Sequence, residues 1–147
     1  MTIKSLYTRF REGFTLVELT VVVLIIGVLA AFGIPMLLRS VERCKASEAF
    51  NYLAAVRASQ ERYQVLNGTH TKNLKSLDIK LPRPKYFKVK RLKKGYSGSL
   101  EDSWKLKLQR KGASAGFGKY TVEFTQNGYN PAKSSIENYP EIIPIAD

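Results

Sequence analysis

The 147-residue chain has a single cysteine, Cys44, so no disulfide can close within it. Its loops must be held by packing alone, or by a metal. A metal has little to bind: His70 stands alone, and neither CxxC nor HExxH occurs. A lone exposed histidine is far more often bland than a ligand. Enzyme constellations are missing too. Ser, His and acidic residues fall in no hydrolase pattern. Gly112, Gly116 and Gly118 lack the Lys-Ser/Thr that would complete a phosphate loop. Internal repeats and low-complexity linkers are absent. No enzyme activity, metal or cofactor is therefore expected, and the chain reads as a structural and interaction protein. Acidic residues are scarce, 12 against 24 Lys and Arg, for a net charge of +12 and a pI of about 9.9. At this length, one modest domain fits beside any membrane segment.

Charge is missing altogether from Leu19 to Leu38, twenty residues reading LTVVVLIIGVLAAFGIPMLL. A helix of about 20 apolar residues crosses a bilayer. Glu18 is the odd feature, five residues into a run that would otherwise begin at Phe14. A carboxylate there costs about 2.5–3.5 kcal/mol on insertion scales unless it finds a partner. An ordinary anchor has no reason to carry it. The bland reading is a helix N-terminal carboxylate favoured by the macrodipole, worth about 0.3–1 kcal/mol. Residues 1–13, MTIKSLYTRFREG, carry Lys4, Arg9 and Arg11 and read as a basic leader kept cytoplasmic by the positive-inside rule. A conventional secretory signal, cut near Ala30-Ala31, fits poorly, because Glu18 interrupts the apolar region and the run is too long.

GFTLVEL followed by TVVVLIIGVLAAFGIP resembles the type IV pilin and pseudopilin family, whose signature is a basic leader ending in Gly, then Phe-Thr-Leu-x-Glu-Leu, then a long apolar helix. The resemblance is specific over Arg11 to Pro35 and weaker through Gly68. It implies that prepilin peptidase cuts between Gly13 and Phe14 and methylates the new amine of Phe14. Gly13, without a side chain, leaves that bond open to a protease at the membrane face. It implies that Glu18 pairs with the N-terminal amine of a neighbouring, identical or related subunit. Phe14 and Glu18 are four residues apart, about one helical turn. In low dielectric an unpaired charge is costly, so the pair would set subunit register. Gly27, Gly33 and Pro35 loosen the span: proline removes a backbone hydrogen bond, and the resemblance implies a stretch that can extend or melt on assembly. The bland reading is a tolerated membrane-helix kink. Many pilins close a C-terminal loop with a Cys pair, and this chain departs from them.

From Ser40 to Leu66 there is neither Gly nor Pro, and Ala46, Ala49 or Phe50, Leu53, Val56 and Tyr63 recur every three to four residues, with Glu48, Arg57, Glu61 and Arg62 between. Asn67-Gly68 is a stop. One helix is expected from Phe14 to Leu66, its segment 14–38 lying in membrane or fibre core and 39–67 in a soluble domain. A loop follows over 68–84, with a short apolar element around Leu74 to Leu81. Phe87-Lys88-Val89 is a weak strand signal. Trp104–Leu108 and Tyr120–Phe124 alternate strictly and predict a hairpin. The expected fold is α+β: the helix on a small antiparallel sheet of three or four strands over about 85–126, lysines outward, with an irregular tail over 127–147 that wraps the surface.

Between Lys72 and Lys94 lie ten Lys or Arg and only Asp78 against them, with Tyr86, Phe87 and Tyr96 interleaved or close by. Lys85, Lys88, Lys90, Arg91, Lys93 and Lys94 are the candidates for a sequence-independent grip on DNA or on anionic surfaces. The bland reading is a solvated lysine-rich face or contacts to acidic neighbours. Three functions follow. The first is a structural type IV pilus subunit; the second is a type II secretion pseudopilin; the third is a DNA-binding or adhesive minor pilin. Partners would be the peptidase, related subunits, the pilus or secretion assembly machinery, and the bacterial inner membrane before assembly. The destination would be an extracellular pilus or a periplasmic pseudopilus. Major pseudopilins commonly end in an acidic calcium loop, but Glu137, Glu141 and Asp147 are too dispersed for one.

Overall fold

The computed structural model describes residues 13–112 and 116–144. The leader lies outside the described residues except for Gly13. A single long helix, α1 (Leu16–Asn67), dominates. The chain divides into two compact units after Met36.

In the first unit α1 starts on a capping box. The Thr15 Oγ1 accepts from the Glu18 backbone N–H (3.2 Å), while the Glu18 carboxylate accepts from the Thr15 N–H (2.9 Å) and hydroxyl (2.8 Å). Orphan donors of the first turn are thereby satisfied reciprocally. The helix runs on through Gly27, Gly33 and Pro35, all helical. Its most apolar window has a mean hydropathy of 2.9 and no buried residue, which fits a membrane span in length and composition.

The second unit begins at Leu37. There α1 buries Ala46, Ala49, Phe50, Leu53 and Val56 completely or nearly so. Against this stripe lies an antiparallel sheet: β1 (Phe87–Val89), β2 (Lys93–Lys94), β3 (Trp104–Arg110), β4 (Thr121–Thr125) and β5 (Gly128–Tyr129). The order is β1-β3-β4-β5, with β2 also on β3. The predicted hairpin is β3–β4, registered so that Leu106 faces Phe124 and Leu108 faces Val122. Alternation sends Trp104, Leu106 and Leu108 inward, and Phe50 meets Phe124 edge-on with ring centroids 5.7 Å apart. Each such buried side chain is worth about 1.5–3 kcal/mol. The helix ends as the Asn67-Gly68 pair predicts: Gly68 adopts φ +74° and its N–H donates to the Gln64 carbonyl at 2.7 Å.

Three expectations need correction. The sheet does not stop near 126: β5 lies inside the expected tail, and β2 adds a fifth short strand. Two-residue strands carry too little periodicity to be seen in sequence. The tail is not merely superficial. Three short 3₁₀ turns, Pro131–Lys133, Ser135–Asn138 and Pro140–Ile142, drive Ile136 and Ile142 fully into the core. The tail also covers β4, where the Thr121 and Glu123 N–H groups donate to Ser135 Oγ (2.8 Å) and Ser134 Oγ (2.9 Å). Hydroxyls here replace the ladder that a longer neighbouring strand would supply. Finally, His70 is not exposed but 3% accessible. The loop that holds it is tied to α1 by Gln60, whose amide donates to Thr71 O (2.7 Å) and accepts from Thr71 N–H (3.1 Å). Of the apolar element expected around Leu74 to Leu81, a single 3₁₀ turn, Leu74–Ser76, is present.

Candidate functional site

Gly13 and Phe14 lie outside α1, just before its cap, and Phe14 is 84% exposed. Thr15 caps the helix, so the Gly13–Phe14 bond is in non-helical chain where an extended substrate segment could enter a protease. Glu18 is turned back onto Thr15. Within one chain, then, its carboxylate serves as helix cap, the role that the macrodipole reading describes. A cβ added at Gly27 or at Gly33 would meet nothing within 4 Å. The two glycines leave notches on an apolar surface rather than relieving a contact within the chain.

A buried charge network, missed by the sequence reading, ties α1 to the β3–β4 hairpin. Glu42 is completely buried. Its carboxylate takes Arg110 Nε at 2.6 Å and Nη2 at 3.2 Å, the Tyr120 hydroxyl at 2.9 Å, and an ion pair with Lys45 at 3.4 Å. The bidentate fork suits a guanidinium. The remaining nitrogen, Arg110 Nη1, donates to the carbonyls of Tyr86 and Lys111. The bond to Glu42 pushes the Arg110 pKa up, and burial, reinforced by Glu42, pushes that of Tyr120 up. A signal for the network was present in the sequence. Arg110 continues the inward alternation of β3, and Glu42 lies four residues before Ala46 on the buried stripe.

The basic candidates separate. Lys90, Arg91 and Lys93 line an open groove of about 650 Å³, and Lys105, Lys107 and Lys133 complete it. Lys85, Lys88 and Lys94 are exposed but do not line it. Lys85 instead sits over the Tyr86 ring, 5.7 Å from its centroid. The strand register explains the gathering. Lys93 is the cross-strand partner of Lys105, and Lys107 that of Glu123. Glu123 is 4% accessible and, among the described residues, is the one acid lining the groove. Its carboxylate accepts from Tyr96 OH (2.6 Å) and Asn130 Nδ2 (3.2 Å) and pairs with Lys107 (3.3 Å). The bond to Glu123 pushes the Tyr96 pKa up to about 12. Lys105 covers one face of the Tyr96 ring, 4.3 Å from its centroid. Among the described residues no group of three or more His, Cys, Asp and Glu could hold a metal. Glu137 instead accepts from the Tyr129 hydroxyl at 2.5 Å, and Asp147 lies outside the described residues.

Residues 8–34 match the family described as a prokaryotic N-terminal methylation motif. The chain is 41% identical over 69 residues to a type IV wide pilus major component of Thermus thermophilus, covering 47% of this chain and 53% of that one. It is 30% identical over 76 residues to the type II secretion system core protein G of Pseudomonas aeruginosa, covering 52% and 54%. A major type IV pilin of Myxococcus xanthus is 47% identical over 59 residues, covering 40% and 27%. The chain thus spans about half the length, or less, of these relatives. It carries a prokaryotic N-terminal methylation motif, and part of it is similar to type IV pilins and to a type II secretion core protein.

Proposed function

We propose that this chain is a structural subunit of a type IV pilus. Prepilin peptidase cleaves between Gly13 and Phe14 and methylates the Phe14 amine. The apolar helix holds the subunit in the inner membrane, amino terminus cytoplasmic before cleavage, and then joins the core of a fibre of identical or related subunits. The observation that carries this reading is an exposed, uncharged helix directly behind Gly-Phe-Thr-Leu-Val-Glu. Such a surface asks for lipid or for other helices. Cleavage creates an amine one residue from the Thr15 cap. Glu18 then exchanges its bonds to Thr15 for the Phe14 amine of the next subunit, and a subunit docked out of register strands both charges. Gly27 and Gly33 admit close neighbours, and Pro35 weakens the helix beside them.

A second reading, a type II secretion pseudopilin, is supported by the likeness to core protein G and shares the whole amino-terminal chemistry. Mass spectrometry of the N-terminal peptide separates them. N-methylated Phe14 in sheared surface fibres is the expected result. Methylated Phe14 confined to the membrane fraction favours the pseudopilin. An intact Met1, or a start elsewhere, in cells with active peptidase overturns both.

A further inference from the structure

We propose that a cleft on α1, just beyond the uncharged run, holds one anionic phospholipid, its headgroup at Lys45 and Lys85 and an acyl chain along Leu37 and Val41. The inference goes beyond the fibre reading but rests on the part of it that puts the apolar helix in a membrane. Ser40, Val41, Cys44, Lys45 and Tyr86 line an open cleft of about 330 Å³. Leu37, Val41 and Cys44 recur at i, i+4 and i+7, and so stack along one face of the helix. Leu37 and Val41 are 61% and 42% exposed, an apolar track reaching into the cleft. At 1.5 Å per residue the cleft begins about 3 Å beyond Leu38 and ends about 10 Å beyond it. A bilayer carries about 5–7 Å of headgroup region on each side of its hydrocarbon. The track therefore starts beside acyl chains, and the long lysine side chains reach the level of the phosphates.

Glu48 sets the opposite wall. Its carboxylate accepts from the Lys85 N–H (2.7 Å) and the Tyr86 N–H (3.1 Å) and clamps that turn onto α1. Lys45 Nζ and Lys85 Nζ then lie 5.4 and 5.7 Å from the centroid of the Tyr86 ring. Two ammonium groups thus flank one tyrosine, an aromatic side chain that favours the headgroup level of a membrane. The nearby acids are already engaged, Glu42 by Arg110, Tyr120 and Lys45, and Glu48 by backbone. No salt bridge among the described residues engages Lys85, or the exposed Arg39 and Arg43 close by. This collar attracts an anion. A second copy would bring an equally basic collar to it. A zwitterionic lipid suits the apolar track but not the charge, and a free anion suits the charge but not the track. An anionic phospholipid answers both, as in basic pockets beside other membrane helices.

The test reconstitutes the full chain into nanodiscs of phosphatidylcholine, alone or mixed equally with phosphatidylglycerol. The chain is then extracted in uncharged detergent, and native mass spectrometry counts the phospholipid it retains. One phosphatidylglycerol per chain is expected, preferred roughly 25-fold over phosphatidylcholine, from about fivefold for each of two lysines beside an anionic lipid. Lys85→Gln should lower the preference about fivefold, and Lys45→Gln/Lys85→Gln should abolish it. Val41→Asn, with every charge kept, should also reduce retention. Excess glycerol phosphate, which has no acyl chain, should displace nothing. The charge-matched variant Lys90→Gln/Lys93→Gln, off the cleft, should retain lipid as wild type does. Lys45 also pairs with Glu42, so urea midpoints read by Trp104 fluorescence must match; if the double variant is destabilised, Lys85→Gln alone decides. Equal retention of the two lipids by wild type overturns the proposal. So does equal loss in the two double variants, which makes the attraction one of net charge, and so does displacement by glycerol phosphate, which makes the cleft a plain anion site. A chain that fails to enter even pure phosphatidylcholine nanodiscs overturns the membrane reading beneath the proposal as well, and so separates the two failures.

Discussion

Replacing Glu42 by alanine strips the buried Arg110 of both its carboxylate contacts and the Tyr120 hydroxyl of its acceptor. Breaking a buried pair from one side costs about 3–5 kcal/mol, because the partner charge stays desolvated. Arg110 keeps the Tyr86 and Lys111 carbonyls, so the lower end, about 3 kcal/mol, is expected. With a urea slope of about 2 kcal/mol/M, the unfolding midpoint falls by about 1.5 M. Trp104, the chain's one tryptophan, is fully buried on the same sheet, and its fluorescence reports the transition for the full chain in detergent micelles. Two comparisons give the measurement its meaning. Glu61→Ala breaks a pair with Arg57 whose side chains are 53% and 42% exposed, and should cost less than about 1 kcal/mol. Glu42→Leu/Arg110→Met, which removes both charges, should recover most of the loss. A Glu42→Ala midpoint as close to wild type as that of Glu61→Ala would refute the view that this network clamps helix to hairpin.

Other perturbations probe separate parts of the fold. Gly95→Ala places a methyl 2.5 Å from Ser103 Cβ and 2.9 Å from its backbone carbon, and should lower stability by about 1–3 kcal/mol in the same urea assay. Ser134→Ala removes the acceptor of the buried Glu123 N–H and should cost about 1–3 kcal/mol, with faster amide hydrogen exchange at Glu123. Burial holds the His70 pKa below its usual value, outweighing the Gln60 backbone and the Glu61 charge. The native chain then binds fewer protons than the unfolded one, so this contribution is present above about pH 6.5 and is lost as pH falls toward the folded value. Urea midpoints compared at about pH 7.5 and 5.5 should drop more for wild type than for His70→Gln.

Local pattern was enough for the helix, its stop and the hairpin. Twenty residues without charge, a glycine after Asn67 and strict alternation in Trp104–Leu108 each state a preference that neighbours in the chain decide. The amino-terminal motif was legible for the same reason: proposed cleavage site, cap and carboxylate lie within six residues. Partnerships across the chain were a different matter. Glu42 and Arg110 are 68 residues apart; periodicity puts each on a buried face, but nothing local in the sequence pairs the one with the other. Only packing α1 on β3 buries both and makes them a pair. The basic run between Lys72 and Lys94 announced positive charge but not its shape. Strand register drew Lys90, Arg91 and Lys93 together with the distant Lys105, Lys107 and Lys133, and left Lys85, Lys88 and Lys94 outside. Composition can state how much charge a chain carries; which charges share a surface depends on contacts between segments far apart in sequence, and those exist only once the sheet has formed.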